Sequence, residues 1–145
     1  MIRIMSDVPT DPALRDLLMT ATRTLRRRWH ATLGPWDLSP HEHRALHVVG
    51  HSPEPLRLGD VAKSLRIAPR SATEVIDRLE TRGLTRRVAD PADRRAVCVH
   101  LTDEGRRITA ELDAARDAEA TEFFAHLDGP ERTELARLLR KLADG

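Results

Sequence analysis

Two short segments in the middle of the chain have the apolar spacing of amphipathic helices, and they lie close together. In both segments apolar residues recur at i, i+3, i+4 and i+7. These residues are Leu58, Val61, Ala62 and Leu65 in the first segment and Ala72, Val75, Ile76 and Leu79 in the second. Residues 66–69 break the pattern between them. Helices this short are not stable alone in water, so the two must pack against each other and against the rest of the chain.

The pattern changes to the two-residue period of strands directly after the second segment. Gly83 can end the helix in a left-handed conformation. Residues 84–88 and 96–101 then alternate in polarity, and residues 89–95 between them form a polar turn of aspartate, proline and arginine. In the second strand we expect one face to hold Val97, Val99 and Leu101 and the other Ala96, Cys98 and His100. The sequence therefore predicts a β-hairpin with a cationic tip.

Longer helical segments flank this central part. The first spans residues 12–33 and stops at Gly34 and Pro35. Residues 39–42 have the serine, proline and glutamate order of a capping box, and a similar order at residues 128–131 begins the last helix. The fold class that we predict is mainly α, with about six helices and a small β-hairpin wing.

Composition restricts the class of protein further. The chain has 145 residues, of which 40% are hydrophobic and 32% are charged, which suits one globular domain. No apolar run reaches the roughly 20 residues of a membrane span, and residues 1–10 lack the pattern of a signal peptide. Cys98 is the single cysteine, which excludes an intrachain disulfide and favours a packing role. We expect a cytoplasmic protein with no membrane partner.

The order of helix, tight turn, helix and hairpin is that of a winged helix-turn-helix, a unit that binds double-stranded DNA. Residues 66–95 contain eight arginines against five acidic residues, which favours a polyanionic partner. With the apolar side of the second helix turned inward, the candidates for base contacts are Arg70, Ser71, Thr73 and Glu74. Arg78 is placed for a phosphate, and Arg86 and Arg87 would flank the DNA backbone.

The chain resembles the MarR family of bacterial transcriptional regulators. The resemblance rests on residues 58–62 (LGDVA), 75–84 (VIDRLETRGL), 90–95 (DPADRR) and 99–105 (VHLTDEG). It implies that Arg95 is the minor-groove residue of the wing and that the Asp93 carboxylate orients it, with Arg94 between them as a further candidate contact. It also implies a single domain over residues 1–145, in which 39–101 form the DNA-binding lobe and 8–34 and 102–145 form dimerisation helices.

The resemblance further implies a homodimer on a pseudo-palindromic operator. The terminal segments have more apolar surface than one thin helical layer would hide, and such stripes usually mark an interface. The predicted interface residues are Leu14, Leu17, Phe123, Leu135, Leu138, Leu139 and Leu142.

Family members commonly repress transcription until a small molecule, often an aromatic acid, releases them from DNA. The resemblance places an effector pocket near Trp29, His30, Trp36 and His47, although ordinary core aromatics explain the tryptophans equally well. The sequence indicates neither the identity of the effector nor the operator.

Three histidines have a spacing that invites a metal interpretation. His43, His47 and His51 follow each other at four-residue intervals on one predicted helix, but zinc needs about four ligands and no cysteine lies nearby. We favour solvated or pocket-lining histidines and predict no metal ligand, no cofactor and no catalytic residue. The alternatives are a metal-responsive regulator, a small His-dependent metal enzyme, or a helical adaptor that binds only protein. The adaptor would leave the cationic hairpin unexplained.

Overall fold

The computed structural model describes residues 8–145, in which six α-helices and a small antiparallel sheet follow the predicted order. The helices are α1 (Asp11–Thr32), α2 (Pro40–His51), α3 (Leu58–Leu65), α4 (Pro69–Thr81), α5 (Asp103–Phe123) and α6 (Gly129–Ala143). The strands are β1 (Leu56–Arg57), β2 (Thr85–Ala89) and β3 (Val97–Leu101), and two short 3₁₀ helices span Gly34–Trp36 and Phe124–His126. No helix within residues 8–145 is both long and apolar enough to span a membrane.

The chain divides into two compact units. One contains the described residues up to Ala31 together with Glu119–Gly145, and the other is Thr32–Ala118. The second unit includes the whole predicted lobe of residues 39–101, and also residues 32–38 and the first part of α5. The assignment of residues 39–101 to DNA binding and of the flanking segments to dimerisation stays a prediction.

The core of the second unit is built from the apolar faces that the helical periodicity predicts. In α3 and α4 the inward residues Val61, Leu65, Ile76 and Leu79 are at most 1% exposed. Leu46 of α2 is fully buried as well, and α2 contacts both α3 and α4. Short helices are held in this way by tertiary packing rather than by their own propensity.

The sheet has the strand order β1–β3–β2, and all pairs are antiparallel. The predicted hairpin is confirmed, with Thr85 opposite Leu101 and Ala89 opposite Val97. Strand β1 was not predicted, because two residues are too few to show a period. The expected two faces of β3 do not divide into one buried and one exposed face, because Cys98 and Val99 are both buried. Successive side chains of a strand point to opposite faces, so both faces of this central strand are covered at that point.

The turn between α3 and α4 is made by a residue in the left-handed region. Arg66 has φ of 55°, and its N–H donates to the carbonyls of Ala62 and Lys63 at the end of α3. Pro69 then begins α4 with its fixed φ. The chain therefore reverses over three residues, which sets α4 directly against α3.

Helix α5 begins against the start of β2. Thr102 caps it by accepting a hydrogen bond from the Gly105 N–H at 3.0 Å, and the Thr102 N–H donates to the Leu84 carbonyl at 3.1 Å. A Cβ atom on Gly105 would overlap that same carbonyl group. The glycine in the 99–105 motif is thus required by a close approach of two backbones.

The first unit has helices whose apolar side chains are largely uncovered. No side chain of α1 or α6 is buried. The exposed leucines are Leu14, Leu17 and Leu18 on α1 and Leu138, Leu139 and Leu142 on α6. Leu135 and Phe123 are half-buried. Within this unit Arg28 of α1 forms ion pairs with Glu119 and Glu122 of α5.

Candidate nucleic-acid interface

Helix α4 presents a polar face opposite its buried face. Ala72, Val75, Ile76 and Leu79 are at most 3% exposed, as the spacing predicts. The side chain of Arg70 is 92% exposed, with its Nε 3.5 Å from a carboxylate oxygen of Glu74. Ser71 is exposed, and Thr73 is half-buried with its hydroxyl donating to the Pro69 carbonyl at 3.1 Å. The four predicted base-contact residues therefore lie in the first two turns of one helix.

Arg78 of α4 and Arg82, the residue directly after it, link this helix to the segment around α2. The Arg78 Nε donates to Glu42 Oε1 at 3.0 Å, and Glu42 is buried in α2. The other oxygen of Glu42 accepts from the Ser39 N–H at 2.8 Å and completes the capping box. At the C-terminal end of α4, Arg82 donates to the carbonyls of Trp36 and Asp37 at 2.6 and 2.7 Å. Neither link could be predicted from the sequence. Arg78 remains 55% exposed at its side chain, so its phosphate contact stays a prediction.

The tip of the hairpin is shaped by two aspartates. Asp90 accepts a hydrogen bond from the Ala92 N–H at 2.9 Å, and Asp93 accepts one from the Arg95 N–H at 3.0 Å. These are the side-chain turns that aspartate favours. In the structure Asp93 thus bonds to the backbone of Arg95 and not to its guanidinium. Arg94 and Arg95 are exposed, and no carboxylate in residues 8–145 lies within salt-bridge distance of either.

The start of the hairpin tip is joined to β1 by an ion pair. Arg57 donates to Asp90 Oδ2 from Nε at 3.0 Å and from Nη2 at 2.7 Å. The hydrogen bond from Ala92 and then the Arg57 guanidinium lower the pKa of Asp90 below its ordinary value. Sequence reasoning missed this pair because its members are 33 residues apart.

Arg86 and Arg87 of β2 have different surroundings. Arg87 is held by Asp77 at 2.5 Å and by Glu80, both on α4, and its side chain is only 26% exposed. Arg86 is exposed, and over the described part of the chain no carboxylate pairs with it. The sequence predicts the same role for both, which is to flank the DNA backbone. Their roles on DNA stay predictions, but only Arg86 has a charge that no neighbouring acid offsets.

The comparisons with known proteins decide the family. The family model described as the MarR family matches residues 36–96. Transcriptional regulator HosA of Escherichia coli O111:H- is 33% identical over 117 residues, which are 79% of this chain and 83% of HosA.

The chain belongs to the MarR family.

Two further relatives match over most of their length. The HTH-type transcriptional repressor Mb2911 of Mycobacterium bovis is 29% identical over 132 residues, which are 91% of this chain and 94% of that protein. A solved structure of Bordetella bronchiseptica BpsR, whose DNA binding is regulated by 6-hydroxynicotinic acid, is 28% identical with a TM-score of 0.73. It covers 97% of this chain and 99% of BpsR.

Membership of the MarR family confirms the predicted winged helix-turn-helix and the predicted class, a DNA-binding transcriptional regulator rather than an enzyme. MarR-family proteins form dimers, in line with the uncovered leucines of α1 and α6.

The residues predicted to border an effector pocket are divided between the two units. Trp29 and His30 belong to the first unit, where Trp29 is half-buried and His30 is exposed. Trp36 and His47 belong to the second unit. The Trp36 indole N–H donates to Glu111 at 3.2 Å, and His47 Nδ1 lies 3.3 Å from Asp113 Oδ1. The pocket stays a prediction.

Proposed function

We propose that this chain is a repressor that binds a pseudo-palindromic operator as a homodimer and is released from it by a small ligand. One observation carries the proposal. Helix α4 has an outward polar face. In the same unit the hairpin tip carries Arg94 and Arg95, and within the described residues no carboxylate pairs with either. Cations without internal partners are the groups available to phosphates and groove edges.

Helix α4 would lie in the major groove with the N-terminal end of its polar face on the base edges. Arg70, Ser71, Thr73 and Glu74 would supply hydrogen-bond donors and acceptors there. Arg95, on a tip that Asp93 and Asp90 hold in shape, would enter the adjacent minor groove, where the negative potential favours arginine. Arg94 would support it. Arg78 and Arg86 would contact phosphates, which position the protein without reading sequence. Arg87, the remaining predicted contact, would act mainly by joining β2 to α4.

The dimer would bury the leucines that a single chain leaves uncovered. Exposed apolar stripes of this kind usually mark an interface. We assign Leu14, Leu17, Phe123, Leu135, Leu138, Leu139 and Leu142 to it. A two-fold dimer would place two α4 helices about one DNA turn apart, which requires a half-site repeat of the same spacing.

The ligand would act by favouring a dimer whose recognition helices have the wrong spacing for the operator. Its effect is limited by the difference between its affinities for the two states. Aromatic acids are the first class to test, because 6-hydroxynicotinic acid regulates the related BpsR. Trp29, His30, Trp36 and His47 stay the residues to vary in that test, because an indole ring can pack against an aromatic ligand and an imidazole can bind a carboxylate.

Binding to duplexes from the intergenic regions beside its own gene tests the proposal. Fluorescence anisotropy at several salt concentrations should give a steep fall of log affinity with log salt for the wild type. The double variant Arg94→Ala/Arg95→Ala should bind more weakly and with a smaller slope. A matched control is Arg107→Ala/Arg137→Ala, which removes the same charge from ion pairs on α5 and α6. Failure of the wild type to bind any duplex at low salt contradicts the proposal, and so does equal behaviour of the two double variants.

A further inference from the structure

Three side chains of the types that can ligate metal ions meet at the C-terminal end of α2. His47 and His51 lie one helical turn apart, with ring centroids separated by 4.2 Å. Asp113 of α5 faces both, with Oδ1 at 3.3 Å from His47 Nδ1 and Oδ2 at 3.1 Å from His51 Nε2. All three residues belong to the unit of residues 32–118. The four-residue spacing of the two histidines is visible in the sequence, but the sequence does not indicate that the Asp113 carboxylate lies beside them.

The orientation of His51 is fixed by the backbone. Its Nδ1 lies 2.9 Å from the carbonyl oxygen of His47, which can only accept a hydrogen bond, so Nδ1 carries the proton. In the neutral ring Nε2 then directs its lone pair at Asp113 Oδ2. Two acceptors 3.1 Å apart repel each other unless a cation neutralises them. That cation is either a second proton on the ring or a metal ion.

The dimensions of the cluster suit a metal ion. One ligand atom from each residue lies within 4.8 Å of the others. Neighbouring ligands of a tetrahedral zinc ion with bonds of about 2.0–2.2 Å are about 3.3–3.6 Å apart, and the two nitrogen–oxygen separations, 3.3 and 3.1 Å, are close to the lower end of that range. The bond from His51 Nδ1 to a carbonyl is also the outer hydrogen bond that orients histidine ligands. Imidazole favours zinc and similar transition ions over calcium or magnesium.

We propose that His47, His51 and Asp113 bind one divalent transition-metal ion of the zinc class, with water completing its coordination. The side chains are 37%, 51% and 30% exposed, so an ion can reach them from solvent. This replaces the expectation of solvated histidines for His47 and His51. The proposal does not rest on the repressor function, since it concerns the free protein.

Zinc titration of the purified protein tests the site. Tag-free protein treated with a chelator and then titrated with ZnCl2 by calorimetry, in the absence of DNA, should bind one ion per chain. Co²⁺ bound at the same site should show the visible absorption of a coordinated ion. Asp113→Asn and His47→Ala/His51→Ala should each bind at least about tenfold more weakly. At the same zinc concentration the melting temperature of the wild type should rise by more than that of either variant.

The control variant is His41→Ala/His126→Ala, which removes two exposed histidines outside the cluster. It should bind zinc like the wild type. Because His51 is exposed, the single variant His51→Gln should fold and still lose affinity, which separates ligand loss from misfolding. Absence of stoichiometric zinc binding would mean that a proton, not a metal, joins the histidines to Asp113, and the proposal would be overturned. Equal affinities of the wild type and Asp113→Asn would overturn it as well.

Discussion

The guanidinium of Arg57 donates two hydrogen bonds to one carboxylate oxygen of Asp90, at 3.0 and 2.7 Å. The pair joins the short strand β1 to the residue at which the hairpin tip begins. Asp90 also accepts from the Ala92 N–H, so the same carboxylate holds both the base and the bend of the tip. The position of Arg94 and Arg95 therefore depends on a residue more than thirty positions earlier in the chain.

We predict that Arg57→Ala weakens operator binding roughly two- to tenfold, because the tip must then be ordered at the moment of binding. Fluorescence anisotropy with a fixed operator duplex measures the change. Arg15→Ala, which removes an exposed ion-paired arginine from α1, is the control. Equal affinities of the two variants would show that the tip keeps its shape without the ion pair.

The pH dependence of stability should report on Asp90. Its pKa is lowered in the folded protein, so its contribution to stability is present above the ordinary value of an aspartate and is lost as the pH falls through the folded value. The free energy of unfolding of the wild type should therefore exceed that of Asp90→Asn by a constant amount above about pH 5 and by less below about pH 4. Urea denaturation across this range measures the difference. A difference in the free energy of unfolding that grows as the pH falls would contradict a lowered pKa of Asp90.

The alanine variants of Arg86 and Arg87 should differ in their effects on DNA binding and on thermal stability. Arg86→Ala should lower affinity and reduce the slope of log affinity against log salt by about 0.9, the value for one phosphate contact. Arg87→Ala should leave the slope nearly unchanged and reduce thermal stability, because it releases Asp77 and Glu80 from β2. Anisotropy and thermal melts measure the two effects. The reverse pattern would show that Arg87 leaves its carboxylates to bind DNA.

Glu42 should contribute more to stability than an ordinary capping glutamate. It completes the Ser39 cap and holds Arg78, so Glu42→Ala should cost about 2–3 kcal/mol. Glu131 forms the same capping box with Asp128, and within residues 8–145 no arginine pairs with it, so Glu131→Ala should cost only about 0.5–1 kcal/mol. Chemical denaturation compares the two. Equal losses would mean that the Arg78 link adds nothing.

Gly105→Ala should be strongly destabilising, by about 3 kcal/mol, because the new methyl group would overlap the Leu84 carbonyl, which is part of a backbone and cannot move aside cheaply. Gly59→Ala serves as the control, since nothing lies within 4 Å of its added Cβ and alanine favours the helix by up to about 1 kcal/mol. Thermal unfolding of both variants checks the contrast. Normal stability of Gly105→Ala would contradict the close approach.

The sequence predicted those parts of the structure that depend on local spacing. The buried face of α4 and the pairing of β2 with β3 follow from periods of 3.6 and two residues. Partners that are distant in sequence could not be predicted in this way. A chain with 24 basic and 23 acidic residues offers each arginine many carboxylates, and no local pattern selects Asp90 for Arg57 or Glu42 for Arg78.

The same reasoning explains the histidine cluster. Helical spacing places His47 and His51 on one face, but it contains no information on the residue of α5 that packs opposite them. Strand β1 escaped prediction because it is stable only through its pairing with β3. In each of these cases tertiary contact, and not the local sequence, determines the partner.

The left-handed conformation of Arg66, between α3 and α4, lowers the stability of the fold. An arginine at φ of 55° is less stable than a glycine would be, by roughly 1–2 kcal/mol. Replacing Arg66 with glycine would relax this turn and remove an exposed positive charge beside α4. At this position a more heat-resistant protein would therefore have a weaker electrostatic attraction to nucleic acid.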